Sequence, residues 1–502
     1  MKRQIILLMT DTTRCDMLGC YGNADMRTPN LDRLAAEGLR YTNAYTCQPV
    51  CGPARSAIFT GTFPHSNGMV TNSIAMGDNV KTIGQRLSDN GVHCGYIGKW
   101  HLDGGDYFGN GRCPEEWDER YWYDMRCYLD ELTDEERRLS RQSSTAYRDD
   151  MTAEFTYAHR CSDRALKFLD ENSGEDFFLT VSYDEPHGPC LCPAPFNKMY
   201  DGVSMPKSEN YADDLSKKPL MQQLWSGKGI NADPESLHAP SDALALFLGC
   251  NSFADMEIGR VLDKIREKCP DALVIYTSDH GDMLGNHRLQ MKNAVAYKEV
   301  ANIPLLIKCG AKGVINAPAS HIDIAPTVLD YMGVPVPKLL EGKSMVKQLR
   351  NPDVKINDVV FTEFTRYEVD HDGFGGLQPM RTATDGRFKL VLHLTDTDEF
   401  YDMQNDPAEV HNLINDENFA EQRDALHDKI LQHMNDTRDL YRGYQWLCRP
   451  WRKTAAPTWE NDDCTRQREN EEYEPRQLDY DTGLPMETAV RSKRHYDEKT
   501  SQ

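Results

Sequence analysis

Strand-length apolar runs alternate with longer amphipathic stretches through most of this chain. The runs are QIILLMT at residues 4–10, GYIGKW at 95–100, DFFLTVSYDEP at 176–186, DALVIYTSDHGD at 271–282 and IPLLIKCG at 303–310. Between them, NLDRLAAEG at 30–38 carries leucine and alanine at helical spacing and stops at a glycine, and residues 243–268 form a long helical pattern. Alternation of this kind predicts an α/β protein with a large, mostly parallel sheet covered on both faces. In such sheets functional groups gather beyond the carboxyl ends of the strands. Four of these ends carry ionisable residues: Asp11, the pair Lys99 and His101, the trio Asp184, Glu185 and His187, and the pair Asp279 and His280. One polar strand end is ordinary, but four predict a polar, metal-capable site.

Near residue 350 the pattern changes to short strands and turns, VVFTEF, MRTATDGRFKLVLHL and EFYDMQNDPAEVHNL, followed by a helix over about Phe419–Leu440. This predicts a catalytic domain over 1–350, a smaller α+β subdomain with an antiparallel sheet over 351–445, and a polar extension over 446–502. The net charge of −22 argues against nucleic acid or an anionic membrane surface as a general partner. An anionic substrate then needs a local cluster of cations. The N-terminal MKRQIILLMTDTTR has cations before an apolar run, but Ile5–Met9 is too short for a secretory core and suits a buried strand. No segment reaches the ~20 apolar residues of a membrane span. Fifteen cysteines without an export signal predict free thiols and a cytoplasmic protein.

The segment YTCQPVCGPARSAIFTGTFPHSNG at 45–68 carries Cys47 and Cys51. Their spacing lacks the partners of a zinc knuckle. Cys47 reads as a packed thiol. Cys51 precedes Pro53, which suits the N1 position of a helix, so Cys51 stands at the positive end of that helix with Arg55 in its first turn.

CGPAR resembles the C-x-P-x-R signature of the type I, formylglycine-dependent sulfatases of the alkaline phosphatase superfamily. MTDTTRCDMLGCYGN, TPNLDRLAAEGLRYTNAY, GYIGKWHL, SDHGDMLGNH and the RTATDGRFKL to EFYDMQNDPAEVHNL region resemble further elements of that family, in family order, over about Ile5–Leu413. The resemblance implies an alkaline phosphatase-like fold and a sulfuric ester hydrolase of arylsulfatase type. It implies that Cys51 is oxidised to formylglycine by a sulfatase-maturing enzyme. It implies one divalent ion, Ca²⁺ before Mn²⁺ or Mg²⁺, held by Asp11, Cys51, Asp279 and His280. Arg55, Lys99, His101, His187 and Lys292 take the family's catalytic positions. His101 serves as base for sulfate release, and His187 and Lys292 bind the sulfate, with His187 protonating the leaving oxygen. Lys298 competes with Lys292 for its position.

Three residues depart from the family pattern. Thr12 stands where many members have a second acid, His280 where many have Asn, and Ala54 where Ser is more frequent. His280 tilts the metal preference towards Mn²⁺, and with Thr12 it supports an alternative activity, phosphonate monoester or phosphodiester hydrolysis. A non-catalytic carbohydrate-binding or thiol metal-binding protein is the reading from another class. The expected substrate is a small sulfated compound, with sulfated sugar, aryl sulfate and steroid sulfate all open. His287 reads equally as pocket lining or loop support. The aromatic WDERYWYDMRCY at 117–128 reads as packing or as a stacking surface, and Arg366, Tyr367 and Arg381 are candidates for substrate contact.

Overall fold

The computed structural model describes residues 2–77, 79–104, 107–203, 208–228, 242–369, 376–457 and 483. Residues 458–482 and 484–502 of the expected polar extension lie outside the described residues. The strands are β1 (Gln4–Thr10), β2 (Leu39–Tyr41), β3 (Ala44–Tyr45), β4 (His93–Gly98), β5 (Phe177–Ser182), β6 (Leu273–Ser278), β7 (Leu305–Lys308), β8 (Gly313–Ile315), β9 (Ala319–Ser320), β10 (Val360–Phe364), β11 (Met380–Thr384), β12 (Phe388–His393) and β13 (Glu399–Asp402).

Seven strands form the main sheet in the order β4-β5-β1-β6-β7-β2-β8. β4, β5, β1 and β6 run parallel, and β7 alone runs against its neighbours. All seven residues of β1 are buried, as a central strand covered on both faces requires. Side chains alternate across a strand, so β1 divides between two cores. Ile6 and Leu8 join a core built with the helices Tyr157–Asn172 and Asp242–Lys268. Ile5, Leu7 and Met9 join one built with the helices Cys51–Thr60 and Ile324–Met332. The α/β fold expected from the alternation is therefore the fold observed.

Register explains where the chemistry collects. Thr10 pairs with Ser278, Met9 with Ser182, and Ser182 with Gly98. The chain leaves all four adjacent parallel strands at the same level, so Asp11, Asp279, Asp184 and Lys99 emerge along one edge. Gly98 makes the closest of these exits possible. Its φ is +111°, and a Cβ there would lie 1.9 Å from the Ser182 carbonyl oxygen, so a side chain would separate β4 from β5.

β10–β13 form an antiparallel sheet. Its core includes Leu390, Leu392 and Phe400 with Leu426, Ile430 and Met434 of the helix Ala420–Asp436. Trp446 and Trp451 are buried in the same core, so packed chain continues past residue 445.

Candidate active site

The helix expected after Cys47 begins at Cys51 itself. Pro53 is thus the third helical residue rather than the first, still within the turn whose N–H groups have no intrahelical acceptor. The Gly52 N–H donates to Asn72 Oδ1 at 2.9 Å. A Cβ on Gly52 would sit 3.0 Å from that oxygen and 2.7 Å from Met69 Cε, so glycine keeps the contact open. The helix ends at Gly61, whose φ is 70°. Ile58 and Phe59 pin it to the sheet and hold Cys51 over the strand ends.

There, Cys51 Sγ lies 3.1 Å from His280 Nε2 and 3.9 Å from Asp11 Oδ1. Oxygens of Asp11 and Asp279, His280 Nε2 and Cys51 Sγ all fall within 4.8 Å of one another, and all four residues are buried. The His280 Nδ1–H donates to the Gly281 carbonyl at 2.8 Å, which leaves Nε2 to face the cluster. The set fits one divalent cation. Two buried carboxylates offer hard oxygens, and the imidazole adds a softer nitrogen that suits Mn²⁺ as well as Ca²⁺ or Mg²⁺. Thr12 is not among these donors. Its hydroxyl donates to Asp11 Oδ1 at 2.5 Å and its N–H to Asp279 Oδ1 at 3.2 Å. These bonds hold a left-handed backbone, φ 70°, that is rare outside glycine.

Cations surround this floor. Arg55 is fully buried and is committed to the acids, with Nε donating to Asp279 Oδ2 at 3.0 Å and Nη2 to Asp11 Oδ2 at 3.3 Å. Its Nη1 donates to the Lys99 carbonyl and to Ser182 Oγ. Lys99 Nζ bridges Asp11 Oδ2 at 2.7 Å and Asp184 Oδ1 at 2.9 Å. Lys292 is buried close enough to feel the charges of Cys51, Tyr367 and Asp11. Lys298 instead directs Nζ to the Pro407 carbonyl.

Lys99 and His101 do not stand on the strand itself, because β4 ends at Gly98. They converge through the turn that follows, in which His101 has a φ of 56°. His101 Nδ1 is buried and finds no hydrogen-bond partner among the described residues. His187 is half-buried. Its Nδ1 lies 2.9 Å from the Tyr107 hydroxyl and 3.1 Å from the Gly188 carbonyl.

The charges separate accordingly. Burial opposes ionisation of Asp11, but Lys99, His187, His280 and Lys292 outweigh it and hold its carboxyl well below the usual range. Burial and the charge of Asp11 together raise Asp279. Burial disfavours an imidazolium at His280, yet Asp279 and Cys51 bring it up to about 9. Burial, then Lys99 and Arg55, hold His101 well below its usual range. Burial, then Lys99 and Lys292, push His187 down to about 3.

Sequence reasoning missed Tyr107 and Asn72, which lie in segments without motif or informative periodicity, and Ser182, which closes β5 inside a run that reads only as a buried strand. The remaining candidates separate by contact. His287 is a loop support: it bonds Asp213 Oδ2 at 2.7 Å and stacks 3.7 Å from Tyr297. Trp117 and Trp122 are buried against Tyr96 and Trp100, so the aromatic segment is packing. Arg381 is buried in a pair with Asp439 at 2.5 Å. Cys47 is packed against Ala57, Phe63 and Ile322.

Comparison with known proteins adds an independent line. A family model for sulfatases matches residues 3–334, and one for the C-terminal region of N-sulphoglucosamine sulphohydrolase matches 285–436. The uncharacterized sulfatase YidJ of Escherichia coli (strain K12) is 43% identical over 499 residues, covering 97% of this chain and 98% of its own. A solved complex with its substrate D-glucosamine-2-N,6-O-disulfate matches with a TM-score of 0.72 at 21% identity, over 88% of this chain and 99% of that one. The phosphonate monoester hydrolase of Agrobacterium radiobacter matches equally, with a TM-score of 0.72 at 20% identity over 88% and 97%. At these identities the two structures show a common fold.

Proposed function

The chain belongs to the sulfatase family of the alkaline phosphatase superfamily, and from that premise we propose that it hydrolyses a sulfate monoester of a small sugar or aromatic alcohol to the alcohol and inorganic sulfate, with Cys51 as the precursor of its nucleophile. One observation carries this reading. Cys51 opens a buried helix directly against Asp11, Asp279 and His280, with Arg55, Lys99 and Lys292 buried around them. A divalent ion held by Asp11, Asp279, His280 and the residue at 51, together with oxidation of Cys51 to formylglycine by a maturing enzyme, would supply an acidified hydroxyl as nucleophile. His101 Nδ1, buried and without a hydrogen-bond partner among the described residues, supports this assignment, because it leaves a polar atom for a group that cysteine does not supply.

The residues divide the remaining work. Three buried carboxylates, Asp11, Asp184 and Asp279, are matched by three buried cations, Arg55, Lys99 and Lys292. These charges offset one another within the protein, so an ion held by Asp11, Asp279, His280 and residue 51 would add net positive charge for an anionic substrate. Arg55 orients the two acids. Lys99 and Lys292 face the transferring sulfuryl group, where fixed cations in a site of low dielectric constant act most strongly. His187, which burial, Lys99 and Lys292 keep neutral in the free protein, would donate a proton to the leaving oxygen once the anionic substrate, with Asp11 and Asp184, favours its cationic form. His101, kept neutral by burial and its cationic neighbours, accepts a proton when sulfate is released.

A second reading, phosphonate monoester hydrolysis, is favoured by the imidazole of His280 in the donor set. Turnover of sulfated sugars, an aryl sulfate and a phenyl phosphonate monoester by one preparation tests the choice. Preference for a sulfate is expected, and a large preference for the phosphonate would overturn it.

A further inference from the structure

Tyr107 belongs to none of the motifs above, yet it touches three of the groups around His187. Its hydroxyl lies 2.5 Å from Asp184 Oδ1 and 2.9 Å from His187 Nδ1. Lys99 Nζ sits 4.1 Å from the centre of its ring, and the His101 ring packs edge-on at 5.4 Å. Asp184 is 5% exposed and paired with Lys99. Burial opposes its ionisation, but Lys99 and His187 outweigh that and hold its carboxyl below the ordinary range.

These contacts fix the direction of each proton. An ionised carboxylate only accepts, so the Tyr107 hydroxyl proton points to Asp184. The phenolic oxygen then turns its lone pairs towards His187. Both neighbours of His187 Nδ1, this oxygen and the Gly188 carbonyl 3.1 Å away, are acceptors. Nδ1 therefore carries the proton, and Nε2 is the nitrogen left for chemistry.

We infer that Tyr107 and Asp184 form a positioning relay that fixes the tautomer of His187 and supports its cationic form while a poor leaving group departs. The inference rests on the proposed role of His187 as the acid. In that role the pair of electrons of the breaking S–O bond stays on the leaving oxygen and takes the Nε2 proton. The ring returns to the neutral form with its proton on Nδ1, and no further reactant is needed. The cationic ring is the form that most needs the relay. Burial, then Lys99 and Lys292, oppose it, whereas the Asp184 charge, passed through a polarised phenol, favours it. The need is greatest for an alcohol such as a sugar, whose alkoxide is a poor leaving group, and slight for nitrophenolate.

Tyr107→Phe keeps the ring beside Lys99 and removes only the hydroxyl. It is expected to lower kcat/KM for a sugar sulfate roughly 10- to 100-fold, the scale of a hydrogen bond to a charged group. For 4-nitrophenyl sulfate the loss is expected to be about threefold or less, since a good leaving group gains little from an acid. The alkaline limb of the kcat profile on the sugar sulfate should move to lower pH. A purely structural role would reduce both substrates alike and leave the limb in place, and that result, or no loss on either, overturns the relay. His187→Ala separates the two levels of the argument. If it shows no leaving-group dependence, the reading of His187 as the acid fails and the relay with it. If it shows that dependence and Tyr107→Phe does not, only the relay fails. A nitrogen-15 histidine spectrum of the protein with unmodified Cys51 supplies a readout independent of turnover. It is expected to show His187 protonated on Nδ1, and a proton on Nε2 alone would refute the inference.

Discussion

Glu185, one residue beyond Asp184, provides a quantitative test of how the strand ends are charged. It is 5% exposed. Its Oε1 accepts the Ala158 N–H at 3.0 Å, while Oε2 is buried without a hydrogen-bond partner among the described residues. Burial, with Asp184 beside it and Glu257 nearby, pushes its carboxyl from an ordinary 4.5 up to about 8. The folded protein therefore keeps a proton that the unfolded chain releases above pH 4.5. Between that pH and about 8 stability falls as pH rises, and above it the accumulated cost is about 5 kcal/mol. At pH 7 it is about 3 kcal/mol by the same conversion. Glu185→Gln keeps the acceptor for Ala158 and removes the titration, but its buried amide adds N–H groups without partners, at a cost of about 1–3 kcal/mol. The variant should thus be less stable than the parent at pH 5 and more stable at pH 8.5. Urea midpoints of both proteins at those two values measure this, and other titrating groups cancel in the difference between the proteins. A difference that stays constant across the range would show that Glu185 titrates normally and that this strand end is not as dry as its burial implies.

Two further outcomes follow from the same site. Arg55→Lys keeps the charge, but a single ammonium cannot serve Asp11, Asp279 and Ser182 together; the urea midpoint should fall by the equivalent of about 2–4 kcal/mol, and an unchanged midpoint would contradict the role given to Arg55. Adding Ca²⁺ or Mn²⁺ to protein with unmodified Cys51 should raise its thermal midpoint, with a stabilisation of about 2.7 kcal/mol when the ion is at one hundred times its Kd. Asp279→Asn should abolish that response, and an undiminished response would place the ion elsewhere.

Much of this architecture was legible because it depends on local pattern. β1 and β6 are continuous apolar runs, and a polar residue directly after such a run has one place to go in a parallel sheet. Position alone therefore marks Asp11 and Asp279 as candidates, while their role as metal ligands comes from the family resemblance. What register adds is that β1 and β6 are neighbours, with Thr10 opposite Ser278, and no local pattern encodes that pairing. Lys99 and His101 show the limit of periodicity. They lie together because Gly98 turns the chain at the end of β4, not because they alternate along it. Tyr107 was not legible, since a tyrosine in an irregular loop has no spacing to read, and only the tertiary approach of Asp184 and His187 distinguishes it. Arg381 errs in the other direction: it reads as a candidate for substrate contact, but the buried carboxylate of Asp439 occupies it, and Asp213 likewise commits His287 to the second of its two readings, loop support.

The central claim, that turnover depends on a group made from Cys51, is most directly tested by measuring sulfate ester hydrolysis against the converted fraction of Cys51 in the same samples. Peptide mass gives that fraction, because the conversion replaces a thiol-bearing methylene with an aldehyde. Turnover is expected to rise in proportion to it and to vanish in Cys51→Ala. Full turnover by protein whose Cys51 remains a thiol would contradict the account.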